Sequence, residues 1–275
     1  MKMNLKSLLA CVALSSIFFS CQKDSGIKAT VDAIPFDVLN QIKAQGFSTD
    51  GIIKQKDGYV VEGDIFLSFN DLAKAPAKVS FMRIAEEEQY RTTNLVTGLP
   101  RRIKISTTGL DPIWTIALDS AIARYNLRGL RLIFKRVASA TKSDIDLIGA
   151  DLGTGGVLGR SSGFPDANGN TPDTITINNV PGTFGSNPSV QWLATIVAHE
   201  IGHTIGFRHT DYANRNYSCG FSFPKNEGDA GVGAIWIPGT PTSQKDPGSW
   251  MLACTDGTNR PFNANDIIAL NYLYF

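Results

Sequence analysis

His199-Glu200-Ile201-Gly202-His203-Thr204-Ile205-Gly206-Phe207-Arg208-His209 contains all three histidines of a 275-residue chain. The string reads H-E-x-x-H-x-x-G-x-x-H. Around it Leu193, Val197, Ile201 and Ile205 keep helical spacing behind Asn187-Pro188, which predicts a helix carrying His199 and His203. Histidines four apart project from one helix face, one turn apart. That suits two ligands of a tetrahedral zinc ion at about 2.0–2.1 Å each. Glu200 sits beside the first ligand without being one, where its carboxylate can take a proton from water on the metal and pass it to a leaving amine. Gly206 can adopt a left-handed conformation and stop the helix, so that the chain turns back and His209 supplies a third ligand. Three protein ligands leave a fourth position for water, the catalytic rather than the structural zinc pattern. A bare H-E-x-x-H also occurs on core helices; Gly206 and His209 at fixed offsets make the string specific.

Upstream, the pattern is regular from residue 99. Arg101 to Ser106 alternates, with Ile103 and Ile105 on one face, as a half-buried strand does. Asp111-Pro112 reads as an N-cap followed by proline at the first helical position, and Trp114, Leu118, Ala121, Ile122 and Tyr125 continue at helical spacing. Leu130 to Val137 and Ile145 to Ala150 read as strands. Gly153 to Pro165 is glycine-rich and suits a bulged edge strand, and Thr174 to Ile177 alternates again. The expected order is strand, helix, strand, strand, edge strand, strand, helix, with no internal repeat.

Residues 22–98 are less periodic. Asp37 to Ala44 suits a short helix, and Tyr59-Val60-Val61 and Ile65-Phe66-Leu67 read as strands around Glu62-Gly63-Asp64. Glu86 to Thr93 is polar. The first twenty residues read as a signal peptide, with Lys2 and Lys6 before an apolar run from Leu8 to Phe19 that is too short to span a bilayer. Phe18 is wrong for ordinary signal cleavage, and Cys21 fits lipidation after cleavage at a loose lipobox; a plain secretion signal is the alternative. Both imply export. Outside the cytoplasm the two remaining cysteines, Cys219 and Cys254, are expected to pair. Net charge is +1, and no basic run exceeds Arg101-Arg102, so nothing points to a nucleic-acid partner.

The extended histidine motif resembles that of the metzincin zinc peptidases, named for a methionine turn beneath the metal. Met251 in Ser249-Trp250-Met251 is the candidate for that turn, and Phe262 to Tyr274, capped by Asn263 or Asn265, is similar to the clan's closing helix. Within the clan, His-Glu-Ile-Gly-His followed by Thr-Ile-Gly-Phe-Arg-His-Thr-Asp looks most like the bacterial dual-action HEIGH metallopeptidases. The resemblance implies an α+β fold: a twisted, mostly parallel sheet with an antiparallel edge strand, an active-site helix and a C-terminal helix. It divides the chain into a signal peptide (1–20), a lipid-anchored pro-like region (21–98) and the peptidase domain (99–275). It implies peptide substrates laid along an edge strand at residues 153–162. Astacins, a related family, carry glutamate after the third histidine and a tyrosine two residues beyond the turn methionine; Thr210 and Ala253 stand there, which puts a fifth ligand in doubt and leaves Tyr212 and Tyr217 as candidate oxyanion donors. Val60-Val61-Glu62-Gly63-Asp64-Ile65 resembles the astacin pro-segment whose aspartate blocks the metal, which makes Asp64 a candidate latency ligand; an ordinary turn explains the same residues. Removal of residues 22–98, by a cut expected between about Tyr90 and Pro100, would free the enzyme from its anchor.

The expected activity is therefore that of an exported zinc endopeptidase, a monomer that meets the membrane only through a lipid. Two rivals remain: a degenerate zinc-containing surface binding lipoprotein, and a hydrolase of peptidoglycan stem peptides. Asp166 to Asp173 gathers oxygen donors around Gly169 and suits Ca2+, but lacks the full twelve-residue calcium loop; a solvated turn is the plainer reading.

Overall fold

Arg101–Thr108 buries Ile103 and Ile105 and leaves Arg102 exposed, an alternation that recurs in Ile65–Ser68 and Gly159–Ser161, whereas Gly58–Val61 and Thr174–Asn178 are buried nearly throughout. The structure, a computed structural model, describes residues 34–45, 47–73, 89–220, 226–227, 233–242 and 246–275. The signal segment, Cys21 and the first three residues of the polar stretch, Glu86 to Glu88, lie outside them.

In chain order the elements are α1 (Phe36–Ala44), β1 (Ile53–Gln55), β2 (Gly58–Val61), β3 (Ile65–Ser68), α2 (Phe69–Leu72), β4 (Tyr90–Arg91), β5 (Arg101–Thr108), α3 (Pro112–Asn126), β6 (Leu132–Arg136), β7 (Ile145–Ala150), β8 (Gly159–Ser161), β9 (Thr174–Asn178), α4 (Val190–Thr204), α5 (Asn216–Cys219), β10 (Ile235–Trp236) and α6 (Ala264–Tyr274). Eight strands form one sheet in the order β1-β2-β3-β8-β9-β7-β5-β6. β5, β6, β7 and β9 are parallel, while β8 runs antiparallel to β9. The fold is the mixed, mostly parallel α/β arrangement expected of the metallopeptidase motif.

The main core lies between the sheet and α3 and α4. Ile103, Ile105, Leu147, Ile175 and Ile177 meet Leu118, Ala121, Leu193 and Val197, all fully buried. Burial of each large side chain contributes roughly 1.5–3 kcal/mol. Asp111 caps α3 by accepting from the Ile113 N–H at 3.1 Å, with Pro112 in the first turn. α4 starts later than Asn187-Pro188 suggests. The Ser189 hydroxyl accepts the Trp192 N–H at 3.2 Å and sets the cap there. α6 is capped by Asn263 in a reciprocal box with Asp266.

The N-terminal strands do not form a separate sheet. β1, β2 and β3 extend the main one, and β3 lies parallel to β8 with Ile65 opposite Ser161. They retain a small core of their own, with Ile42, Tyr59, Val61, Ile65, Leu67 and Leu72. The first part of the stretch in which a cut is expected, Tyr90 to Val96, is tied into the fold, whereas Thr97, Gly98 and Pro100 are exposed. Tyr90 and Val96 are buried, the Tyr90 carbonyl accepts from Arg208 N–H, and β4 pairs with β10. Gln89, with no exposed surface, donates to Ser249 and to Asp266. Residues 89–96 are therefore built into the body of the fold from Gln89 to Phe275.

Candidate metal centre

α4 carries His199 and His203 one turn apart, and the chain leaves it through Gly206 at φ +103°. A side chain at Gly206 would also meet Leu95 and the Asn94 carbonyl. The turn brings His209 back to the other two, with ring centroids 5.2 Å from His199 and 4.8 Å from His203.

Each imidazole is held through Nδ1 by a different group of the body. The His199 Nδ1 lies 2.8 Å from the Trp250 carbonyl and the His203 Nδ1 2.9 Å from the Phe207 carbonyl. The His209 Nδ1 meets the Glu227 carboxylate. A carbonyl only accepts, so the Nδ1 atoms of His199 and His203 carry the hydrogens and their Nε2 atoms present lone pairs. Those two Nε2 atoms are 3.1 Å apart. Two lone pairs at that distance repel unless a cation lies between them, and this donor set therefore fits a metal ion. Burial pushes the His203 pKa down to about 4, which keeps that ring neutral and able to bind.

A fourth group completes the cluster. Asp64, on the turn between β2 and β3, places Oδ2 at 3.1 Å from His199 Nε2, 2.9 Å from His209 Nε2 and 3.6 Å from His203 Nε2. The four ligand atoms lie within 4.8 Å of one another, the one such group among the described residues. Imidazole nitrogens with a carboxylate oxygen suit zinc. Burial alone would raise the Asp64 carboxyl, but the charges of His209 and His203 and the His199 hydrogen bond hold it well below the carboxylate range. Burial opposes a proton on His209, yet Asp64 and Glu227 together hold its pKa well above the ordinary histidine value. A cation entering the cluster displaces that proton. Asp64 Oδ1 and Glu200 Oε2 are buried without a hydrogen-bond partner among the described residues. Burial first, and then the Asp64 charge, keeps Glu200 well above the usual carboxylate range.

Beside the histidines lies a cavity of about 610 Å³, lined by Glu200, His199, Trp192, Ile196, Leu252 and Arg260 among others. Met251 is fully buried beneath α4. A Cβ at Gly202 would come within 2.5 Å of its sulfur, so the glycine of His-Glu-Ile-Gly-His is there to let the methionine approach. Asp266 ties the turn to α6 through Ser249 Oγ (2.9 Å) and Trp250 N–H (3.3 Å), and burial raises it to about 7. Cys219 and Cys254 are bonded at 2.09 Å. Tyr212 packs on Tyr90 and over Arg208. Asp166 accepts from Asn168 and Asn170 within its own loop.

Sequence reasoning missed three contributors. Glu227 orients His209, Arg208 pairs with Glu62, and Phe164 stacks on Phe47 of the N-terminal core at 6.0 Å and meets His203 edge-on at 5.6 Å. Arg208 and Glu62 lie inside stretches already singled out, but at positions the motifs leave open, and nothing local marks Glu227 or Phe164.

The family model described as dual-action HEIGH metallo-peptidase matches residues 60–274. No curated protein matches the chain. Two solved structures of myroilysin resemble it. The first is 15% identical, covers 66% of this chain and 96% of its own, and has a TM-score of 0.43. The second is 16% identical, covers 66% and 86%, and has a TM-score of 0.39.

Proposed function

The chain belongs to the dual-action HEIGH metallopeptidase family, and from that premise we propose that it is an exported zinc endopeptidase of the metzincin type, held latent by its own N-terminal segment. The observation that carries this is the convergence of three Nε2 atoms and one Asp64 oxygen within 4.8 Å, with Glu200 on the wall of the same cavity. His199, His203 and His209 would hold the ion, with Asp64 as a further ligand for as long as the N-terminal segment stays in place. Zinc, when bound, supplies Lewis-acid polarisation of the substrate carbonyl and acidifies water. Glu200 takes the proton of the attacking water and returns it to the leaving nitrogen. A carboxylate desolvated as Glu200 is has the raised basicity this role needs. Met251, packed on Gly202, supports the histidines from below.

β8, which becomes an edge strand once β1–β3 leave, is where a peptide docks by strand addition. β3 now occupies that edge, and the Asp64 carbonyl accepts the Ser161 N–H at 3.1 Å. β3 runs parallel to β8, opposite to the antiparallel direction expected of a substrate. The segment therefore blocks the cleft without offering a cleavable bond. Release follows a cut between Leu72 and Gln89, which leaves the Gln89 anchors in the body. Cys21 lies on the released side, so cutting also frees the enzyme from its lipid anchor.

Glu200→Ala tests the mechanism. Proteolysis should fall by about 10²–10⁴-fold, the usual contribution of a positioned acid–base group, while metal content stays at one equivalent. Full activity in that variant would refute the role of Glu200.

A further inference from the structure

The middle residue of β8 is an arginine. A Cβ built at its neighbour Gly159 would meet the Glu200 carboxylate at 3.0 Å, so Gly159 faces the acid–base side. Successive strand residues point to opposite faces of a sheet, which turns Arg160 away from the metal. Arg160 lines a second cavity, of about 610 Å³, with Ile148, Phe164, Asp166 and Asp173 of the body. Its Nε and Nη1 are buried without a hydrogen-bond partner among the described residues. What covers the guanidinium is the ring of Phe66 on β3, whose centroid lies 3.7 Å from the guanidinium carbon. Burial pushes the Arg160 pKa down to about 10, opposed by the charge of Asp57, and at neutral pH the group is still a cation. Phe66 and Asp57 both belong to the N-terminal segment.

Resting on the reading above, in which the segment yields β8 to a peptide, we infer that Arg160 is a specificity-determining residue whose guanidinium takes the face of an aromatic substrate side chain. A cation over an aromatic face is attracted by the ring quadrupole, and more strongly where water is excluded. Phe66 shows that a ring carried by a strand paired with β8 reaches that position. A peptide added antiparallel to β8 places alternate side chains on the face of Arg160, within reach of it across the pair. The side chain bound there points away from the metal, so it is not the one that enters the cavity beside the histidines. A glutamate or aspartate suits the place less well, because Asp166 and Asp173 line the same cavity and stay when the segment leaves. A lysine or arginine would meet a like charge. Phe164 adds an apolar wall, which favours a ring over a small polar group.

The test uses the full chain carrying Asp64→Ala and Phe66→Ala, which takes one carboxylate from the metal and uncovers the guanidinium. Peptides that differ only by phenylalanine or cyclohexylalanine are scanned through the positions flanking the cleaved bond. The two side chains are similar in size and apolarity, but only the first has an aromatic face. At one position the phenylalanine peptide should be cleaved faster by about five-fold or more. That ratio should return to near one when Arg160→Gln is added, whatever the absolute rate. If the Arg160→Gln chain fails to fold, ring-fluorinated phenylalanines decide in the parent chain. Fluorine withdraws density from the ring face, so cleavage should fall with each added fluorine. Competition binding of the same peptides in a Glu200→Gln background reads the ratios without turnover. A phenylalanine-to-cyclohexylalanine ratio near one at every position in both assays would overturn the inference, and so would a ratio that Arg160→Gln leaves in place. A preference for glutamate over phenylalanine that Arg160→Gln abolishes would overturn it too, by making the residue an ion-pair partner. Tighter binding of the phenylalanine peptide, lost in Arg160→Gln, with no cleavage by any Glu200-bearing chain would instead overturn the peptidase reading and leave the Arg160 site standing.

Discussion

Residues 34–73 and the body from residue 89 onward meet at one cluster, but they bring different things to it. The body brings three imidazoles, each fixed through Nδ1 by the body itself: the Trp250 and Phe207 carbonyls and the Glu227 carboxylate. The N-terminal segment brings two carboxylates, Asp64 against the histidines and Glu62 against Arg208. The body's core runs through the sheet, α3, α4 and α6, whereas the segment's core is a handful of side chains around Val61 and Ile65. A site oriented by its own domain keeps its geometry when a foreign ligand leaves. The difference teaches that the metal site is built without the segment, and that the segment is fitted to it by charge.

Three experiments break or sharpen that contrast. The largest effect is expected from the body. His203→Ala removes a ligand that the segment cannot replace, so bound metal should drop from one equivalent to near zero, with loss of all proteolysis, as read by metal analysis and a peptide assay. Retained stoichiometric metal would show that the segment helps to build the site.

Next comes the segment's own ligand. Asp64→Ala in the full chain should keep one equivalent of metal and raise activity by roughly tenfold or more, the equivalent of about 1.4 kcal/mol of lost blockade. Unchanged latency would mean that β3 blocks the cleft without needing its carboxylate at the metal. The smallest effect concerns packing beneath the site. Gly202→Ala places a methyl 2.5 Å from the Met251 sulfur. Overpacking of this kind costs about 1–3 kcal/mol, so the melting temperature should fall by several degrees while Leu67→Ala, in the segment's core, leaves the body's melting in place. An unshifted melting temperature in Gly202→Ala would show that Met251 has room to move.

Much of this was legible in the chain because it is local. Asp111-Pro112 announced α3 and Gly206 announced the end of α4, since caps and left-handed turns depend on neighbouring residues. The start of α4 was misplaced by two residues because both Asn187 and Ser189 are good caps and only the backbone path chooses between them. The polar look of Glu86 to Thr93 gave no hint that Gln89 is buried, because its partner is far away, Asp266 across a separation of 177 residues.

The sequence by itself determined the pair His199 and His203, the return of His209 and the place of Glu200 beside the first of them, because helical spacing and one glycine fix those relations within eleven residues. Only the tertiary structure decided that Asp64, 135 residues from His199, shares their cluster, that Glu62 reaches Arg208, that Glu227 orients His209, and that Gly202 is small to admit Met251. Those meetings depend on which strand lies beside β8 and how far α4 sits from the methionine turn. Distances of that kind are set by packing across the whole molecule and leave no periodicity in the chain to read.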